Sequence, residues 1–104
     1  KIATGEIPAR KVFEDDELLA FHDIEPQAPT HVIIIPKSHI ASSAADITTE
    51  NAPVVGRIFV AIAQIAREQG LESYRIINNC GAQAGQTVPH IHFHLLGGRV
   101  FDAF

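Results

Sequence analysis

Between Pro89 and Leu96 the chain alternates strictly, with His90, His92 and His94 interleaved with Ile91, Phe93 and Leu95. Successive side chains of a strand point to opposite faces. The pattern therefore predicts a strand over residues 88–96, three imidazoles on one face and three apolar side chains on the other. The apolar set needs a second layer to cover it. The imidazoles need hydrogen-bond partners, because burying unpaired polar rings costs free energy. A lone histidine on a strand is commonly a structural residue satisfied locally; three on one face point to chemistry.

One helix can supply the covering layer. Val55, Ile58, Phe59, Ile62, Ile65 and Ala66 recur at three- and four-residue spacing, the single apolar stripe of an amphipathic helix. Thr48 or Thr49 can cap its start, Pro53 falls in the first turn where a missing N–H is tolerated, and Gly70 can end it. Val32-Ile33-Ile34-Ile35, stopped by Pro36, reads as a central strand covered on both faces. Two short apolar stretches, Val12-Phe13 and residues 18–21, flank Glu14-Asp15-Asp16-Glu17, which predicts strand, solvated acidic turn, strand. Residues 23–29 and 37–46 read as connections, 74–79 as a strand, and 81–85 as a loop with two glycines. The front connections are too short for crossovers, so the expectation is an α+β fold, an antiparallel sheet of about five strands with one main helix packed on it. A chain of 104 residues fits a single domain, residues 1–104, with a modest core that dimerisation would enlarge.

Charge narrows the partners. Eight Lys and Arg against twelve Asp and Glu give a formal charge of −4, which argues against electrostatic capture of duplex nucleic acid. A single phosphate can still be held by backbone N–H groups and a few side chains. No apolar run reaches the roughly 18 residues of a membrane span, and the opening KIATGEIPAR has no apolar segment of the secretory kind. The single cysteine, Cys80, cannot form an internal disulfide, so a reducing cytoplasm is the expected compartment. The sequence contains no Met, and Lys1 is not expected to be the translational start.

Two kinds of chemistry suit a histidine face. Neutral imidazoles two apart on a strand can share a zinc ion, or one can attack an electrophile while the others orient it and hold an anion. Upstream lies Asn79-Cys80-Gly81-Ala82-Gln83-Ala84-Gly85-Gln86-Thr87, a small-residue loop rich in donors that could bring backbone N–H groups to a phosphate. A zinc site would want a carboxylate nearby, and residues 74–98 contain none. The expectation is a nucleophile beside a phosphate, with no cofactor required and zinc not favoured. Cys80 reads as a small loop residue and His39 as part of the Pro36-Lys37-Ser38-His39 corner.

The run from Gly85 through Pro89 and the three histidines to Leu96 resembles the histidine triad superfamily, His-x-His-x-His followed by two apolar residues. Gly97-Gly98-Arg99, Asp23-Ile24-Glu25-Pro26-Gln27-Ala28-Pro29-Thr30-His31 and Gly5-Glu6-Ile7-Pro8-Ala9 are similar to its Hint branch, in register over about residues 2–99. The resemblance implies a homodimer that hydrolyses purine nucleoside phosphoramidates, an AMP-like ligand joined to an amine. It makes His92 the nucleophile, its other ring nitrogen bonded to the carbonyl of His90, and His94 the holder of a phosphate oxygen. Asn79, Gly85 and Thr87 match phosphate-contacting positions, Thr87 also being able to give a proton to the leaving amine. His90 and His31 match a supporting pair. Asp23 matches the carboxylate that accepts from the ribose hydroxyls, and Phe21, His22, Ile24, Ile7 and Ile33 match positions around the base. The chain departs from the pattern in lacking the start of the family's first helix and in ending soon after Arg99, which bears on the leaving-group side. The alternatives are a dinucleotide polyphosphate hydrolase of the Fhit type, which Gly97-Gly98 disfavours, and a nucleotide-binding regulatory protein whose hydrolysis is incidental.

Overall fold

A computed structural model describes residues 10–103 of the chain. Strands β1 (Lys11–Glu14) and β2 (Leu18–His22) form the leading hairpin, followed by β3 (Thr30–Pro36), helix α1 (Ala52–Glu68), β4 (Tyr74–Ile77) and β5 (Phe93–Gly97). Among the described residues, these five strands make one sheet in the order β1-β2-β3-β5-β4, antiparallel throughout. The acidic run is the hairpin turn, tightened by Asp15 Oδ1, which accepts from the N–H groups of Glu17 at 2.8 Å and Leu18 at 2.7 Å.

The helix buries Ile58, Ala61, Ile62, Ile65 and Ala66 against Leu18, Ala20, Val32, Ile34, Ile91, Phe93 and Leu95. Each large aliphatic side chain buried in this way contributes about 1.5–3 kcal/mol of transfer free energy. Phe59 sits at the margin of the stripe, 45% exposed, edge-on to Phe93 at 5.5 Å between ring centroids. The helix ends as the glycine predicts: Gly70 takes φ 72° and its N–H reaches Arg67 O, while Leu71 N–H reaches Ala66 O, the paired bonds of a Schellman motif. Its start carries the expected Thr48 contact, made as a reciprocal pair with Asn51 in the turn before the first helical residue. Asn51 occupies the cap position and bonds backward, accepting from Thr48 N–H at 2.7 Å, while Thr48 Oγ1 accepts from Asn51 N–H at 3.3 Å. A forward cap would aim at the second or third helical N–H, and the second residue, Pro53, has none.

The expected central strand is central, running through Pro36, its last residue, between β2 and β5. Val32 and Ile34 face the helix. Ile35 joins Leu19 and Phe21 in a smaller cluster on the opposite face, with Ile33 packed on it.

Two strands are shorter than their sequence pattern. β4 stops at Ile77 instead of Asn79, and β5 starts at Phe93 instead of Val88. Ladder pairing to β5 begins at Phe93 from β3 and at His94 from β4. Pro89 lacks the N–H a ladder needs. His90 and His92 therefore precede the strand, although burial still alternates, with Ile91 and Phe93 in the core and His92 and His94 half-buried. No helix among the described residues is long and apolar enough to cross a membrane.

Candidate active site

Four imidazoles form the centre, and their hydrogen bonds fix which nitrogen of each carries a proton. His92 Nδ1 lies 2.8 Å from His90 O. A carbonyl only accepts, so Nδ1 bears the hydrogen, and the neutral ring keeps its lone pair on Nε2. Among the described residues, that Nε2 has no hydrogen-bond partner. His90 is fixed by the same logic: its Nε2–H donates to Pro36 O at 2.7 Å. Its ring meets His39 edge-on at 5.4 Å, and His39 is otherwise an exposed corner residue.

His94 is set through His31. Gln27 N–H donates to His31 Nδ1 at 3.0 Å, which places the His31 proton on Nε2. That N–H donates to His94 Nδ1 at 2.9 Å, so His94 carries its own proton on Nε2. His92 and His94 stand edge-to-face, 5.3 Å between centroids. The site thus sets a bare nitrogen on His92 beside an N–H on His94. Burial pushes the pKa of His94 down, reinforced by His31 and His92 and opposed by Asp23. Burial lowers His31 too, the Asp23 carboxylate pulling the other way.

The loop between β4 and β5 spends part of its backbone on its own turn. Some of its amides are engaged within the loop: Ala84 and Gln86 donate to Gly81 O, and Gly85 donates to Ala82 O at 3.0 Å. Gly81 N–H is taken by Gln86 Oε1 at 2.9 Å. Gly85, at φ 96°, serves the turn, and its N–H is not open to a ligand. The groups left include the N–H of Ala82, Gln83 and Thr87 and two side chains: Thr87 is exposed and Asn79 half-buried, neither side chain with a hydrogen-bond partner among the described residues. Gln86, to which the sequence pattern gave no role, anchors the loop by donating to Ser42 O at 2.6 Å and Val88 O at 3.0 Å. Cys80 is exposed, 3.2 Å from Ser43 Oγ.

Strand register aligns the remaining residues. Phe21 pairs with Ile33, Ile33 with His94, and His94 with Ile77. Directly opposite residues share a face, so these four form one row across the sheet on the side away from the helix. Phe21 is 4% exposed and supports this row from within. His22 pairs with Val32, a helix-face residue, and alternation directs its imidazole away from the row. Asp23 lies at the row's edge, Oδ1 accepting from Glu25 N–H at 2.8 Å and Oδ2 standing 3.4 Å from His31 Nε2. Ile24 beside it is 82% exposed. Ile7 lies outside the described residues.

The carboxylate absent from residues 74–98 is thus delivered by another part of the chain, and this corrects the sequence argument against a metal. Asp23, His31 and His94 offer ligand atoms within 4.8 Å of one another. The tautomers speak against a cation there. A metal on His31 Nε2 needs a lone pair on that atom, and the Gln27 N–H on Nδ1 holds the proton at Nε2.

Residues 4–101 match the HIT domain. The chain belongs to the HIT domain family. Its HIT fold is similar to that of a histidine triad protein from Clostridium difficile, at 45% identity and a TM-score of 0.93, covering 100% of this chain and 91% of that one. A HIT family hydrolase from Legionella pneumophila superposes with a TM-score of 0.91 at 49% identity, over 96% and 90% of the two chains. In sequence, the purine nucleoside phosphoramidase of Escherichia coli is 46% identical over 101 residues, 95% of this chain and 84% of that protein.

Proposed function

We propose that this HIT protein hydrolyses purine nucleoside phosphoramidates, an adenylate joined to an amine, through a covalent nucleotidyl intermediate on His92. The observation that carries the reading is the tautomer pair, a bare Nε2 on His92 and a proton on Nε2 of His94. The likeness to the Escherichia coli phosphoramidase supports the substrate class. In the first step the His92 Nε2 lone pair forms a bond to the α-phosphorus and the P–N bond to the amine breaks. The amine takes the electron pair and a proton, supplied by the Thr87 hydroxyl. In the second step water attacks phosphorus, the P–Nε2 bond breaks, and the water proton restores Thr87.

The ring of His92 becomes cationic while it carries phosphorus. Its Nδ1–H bond to His90 O then becomes charge-assisted, stronger in the intermediate than in the resting site. His94 Nε2–H and Asn79 hold non-bridging phosphate oxygens. Asp23 accepts from the ribose hydroxyls, and Ile33 and the exposed Ile24 cover the base. The chemistry runs without a resident metal; stoichiometric zinc required for turnover would overturn that part.

The test is incubation with an adenosine phosphoramidate, following amine release and the intact mass. A transient adenylyl adduct is expected, and His92→Ala should lose at least about a thousandfold in kcat. Undiminished turnover in His92→Ala would sink the mechanism. Faster cleavage of diadenosine triphosphate than of the phosphoramidate would move the substrate to the dinucleotide class.

A further inference from the structure

His92 stands just outside the sheet. The β3·β5 ladder ends at the pair Ile34 and Phe93, and the β4·β5 ladder ends at Ile77 and His94. Strands hold side chains more accurately than loops do, so a reacting group placed one residue beyond a ladder needs another restraint. Beyond Ile77, β4 peels away and its backbone no longer reaches β5. A side chain takes over. Asn78 Nδ2–H donates to the carbonyl of His92 at 2.9 Å, standing in for the backbone N–H that a continuing ladder would supply. The other end of the same carboxamide, Oδ1, accepts from Ala44 N–H at 3.1 Å, at the start of the short 3-10 turn Ala44–Asp46. Nearby, Ile91 N–H donates to Ala41 O at 3.0 Å. The segment carrying His92 is therefore tied to the connection after β3 and to the end of β4, and one carboxamide joins all three.

We infer that Asn78 is a positioning residue for the nucleophile: it clamps the His92 carbonyl, and through it the ring, in line with the phosphorus. This rests on the reading of His92 as the attacking group. The restraint acts at both ends of the residue. His90 O holds the ring through Nδ1, and Asn78 holds the backbone through the carbonyl. Freeing the backbone lets the ring drift while its tautomer stays the same, a fault felt in the chemical step and not in substrate binding. A displacement of about 1 Å in a reacting group can cost on the order of a hundredfold.

The test uses the full chain and two variants: Asn78→Asp keeps the acceptor for Ala44 N–H, removes the donation to His92 O and adds a charge, and Asn78→Ser removes the donation without adding one. With an adenosine phosphoramidate, kcat should fall about tenfold or more with KM within about twofold, the melting temperature staying above the assay temperature. Wild-type kcat in both variants would overturn the proposal, as would a loss in kcat/KM carried wholly by KM. A second readout needs no substrate. In wild-type protein labelled with ¹⁵N-histidine, the His92 Nδ1–H should give a sharp, slowly exchanging resonance. In Asn78→Ser it should broaden and exchange faster, and an unchanged resonance would overturn the clamp. If the wild-type protein fails to turn over the phosphoramidate, the proposed reaction fails and the clamp is decided by the resonance alone. Should Asn78→Asp fail to fold, Asn78→Ser carries both measurements.

Discussion

At the scale of single residues, the site is organised by which nitrogens are bare. Three histidines spaced two apart look equivalent in the sequence, yet each is set by a different partner: His90 by Pro36 O, His92 by His90 O, and His94 by His31. The His31 bond should therefore matter to catalysis although His31 touches no reacting atom. His31→Phe removes the donor while filling the space. His94 is then free to place its proton on Nδ1, where, under the proposed mechanism, it cannot serve phosphate. Losing a hydrogen bond to a charged group costs about 1.5–3 kcal/mol, roughly tenfold to hundredfold in kcat/KM. Steady-state kinetics alongside ¹⁵N spectra of His94 check this: the Nδ1–H tautomer should appear as the rate falls, and a lowered rate with an unchanged His94 tautomer would count against the relay. The triad, His31 and Asp23 were legible in the sequence because they stand in a recognisable spacing. Asn78 and Gln86 were not, because their partners lie 14 and 34 residues away for Asn78 and 44 for Gln86 at Ser42, and only the tertiary fold brings them together.

At the scale of elements, periodicity served well wherever an apolar stripe met a surface to cover. The helix, the leading hairpin and the central strand follow the sequence closely because burial enforces their period. The pattern misled at the ends of β4 and β5. Alternation continues through His90 and Ile91, since Ile91 is fully buried, but pairing does not. A period of two in burial needs an extended chain and a covered face; a strand also needs a neighbour within hydrogen-bonding reach. The layer contact carries most of the stability, and Ile62 on α1 is 1% exposed within it. Ile62→Ala should therefore cost about 2–5 kcal/mol. Urea unfolding should show a lower midpoint with an unchanged slope, and a loss below about 1 kcal/mol would mean that the helix packs more loosely than its burial indicates. Gly98 follows β5 at φ 92°, and a Cβ there would come within 3.0 Å of Pro29. This close approach gives a physical reason for the glycine, since Arg99, the next residue, ties its Nε–H to Gln27 O, on the residue whose own N–H sets His31.

At the scale of the whole molecule, two surfaces and one titration remain to be connected. Val60 on α1 is 69% exposed, and Tyr74, 40% exposed, begins the edge strand β4, whose only strand partner among the described residues is β5. A second copy of the chain could cover both, in keeping with the homodimer that the sequence resemblance implies. Sedimentation at micromolar concentration should then give twice the chain mass, and Val60→Lys should shift it toward one; a wild-type monomer would reject the pairing. The titration concerns His22, His31 and His94, whose pKa values are all lowered, chiefly by burial. Arg10 adds to the effect at His22, and Asp23 works against it at the other two. Between the lowered folded values and the unfolded value of about 6.5, the unfolded chain binds more protons than the folded one, so stability rises with pH across that window. The contribution is fully present above about pH 7 and is lost as the pH falls through the folded values. Glu14 titrates elsewhere. Lys37 and Lys11 hold its pKa at about 2, so its contribution is lost only well below the histidine window. Melting temperature scanned from pH 8 to 5 should be flat and then decline below about 6.5. Protonating His31 must also break the Gln27 N–H bond to Nδ1, so the decline should be shallower in His31→Phe. A melting temperature that climbs on acidification through this range would mean that the buried imidazoles gain a proton on folding, and would undo the tautomer chain on which the site depends.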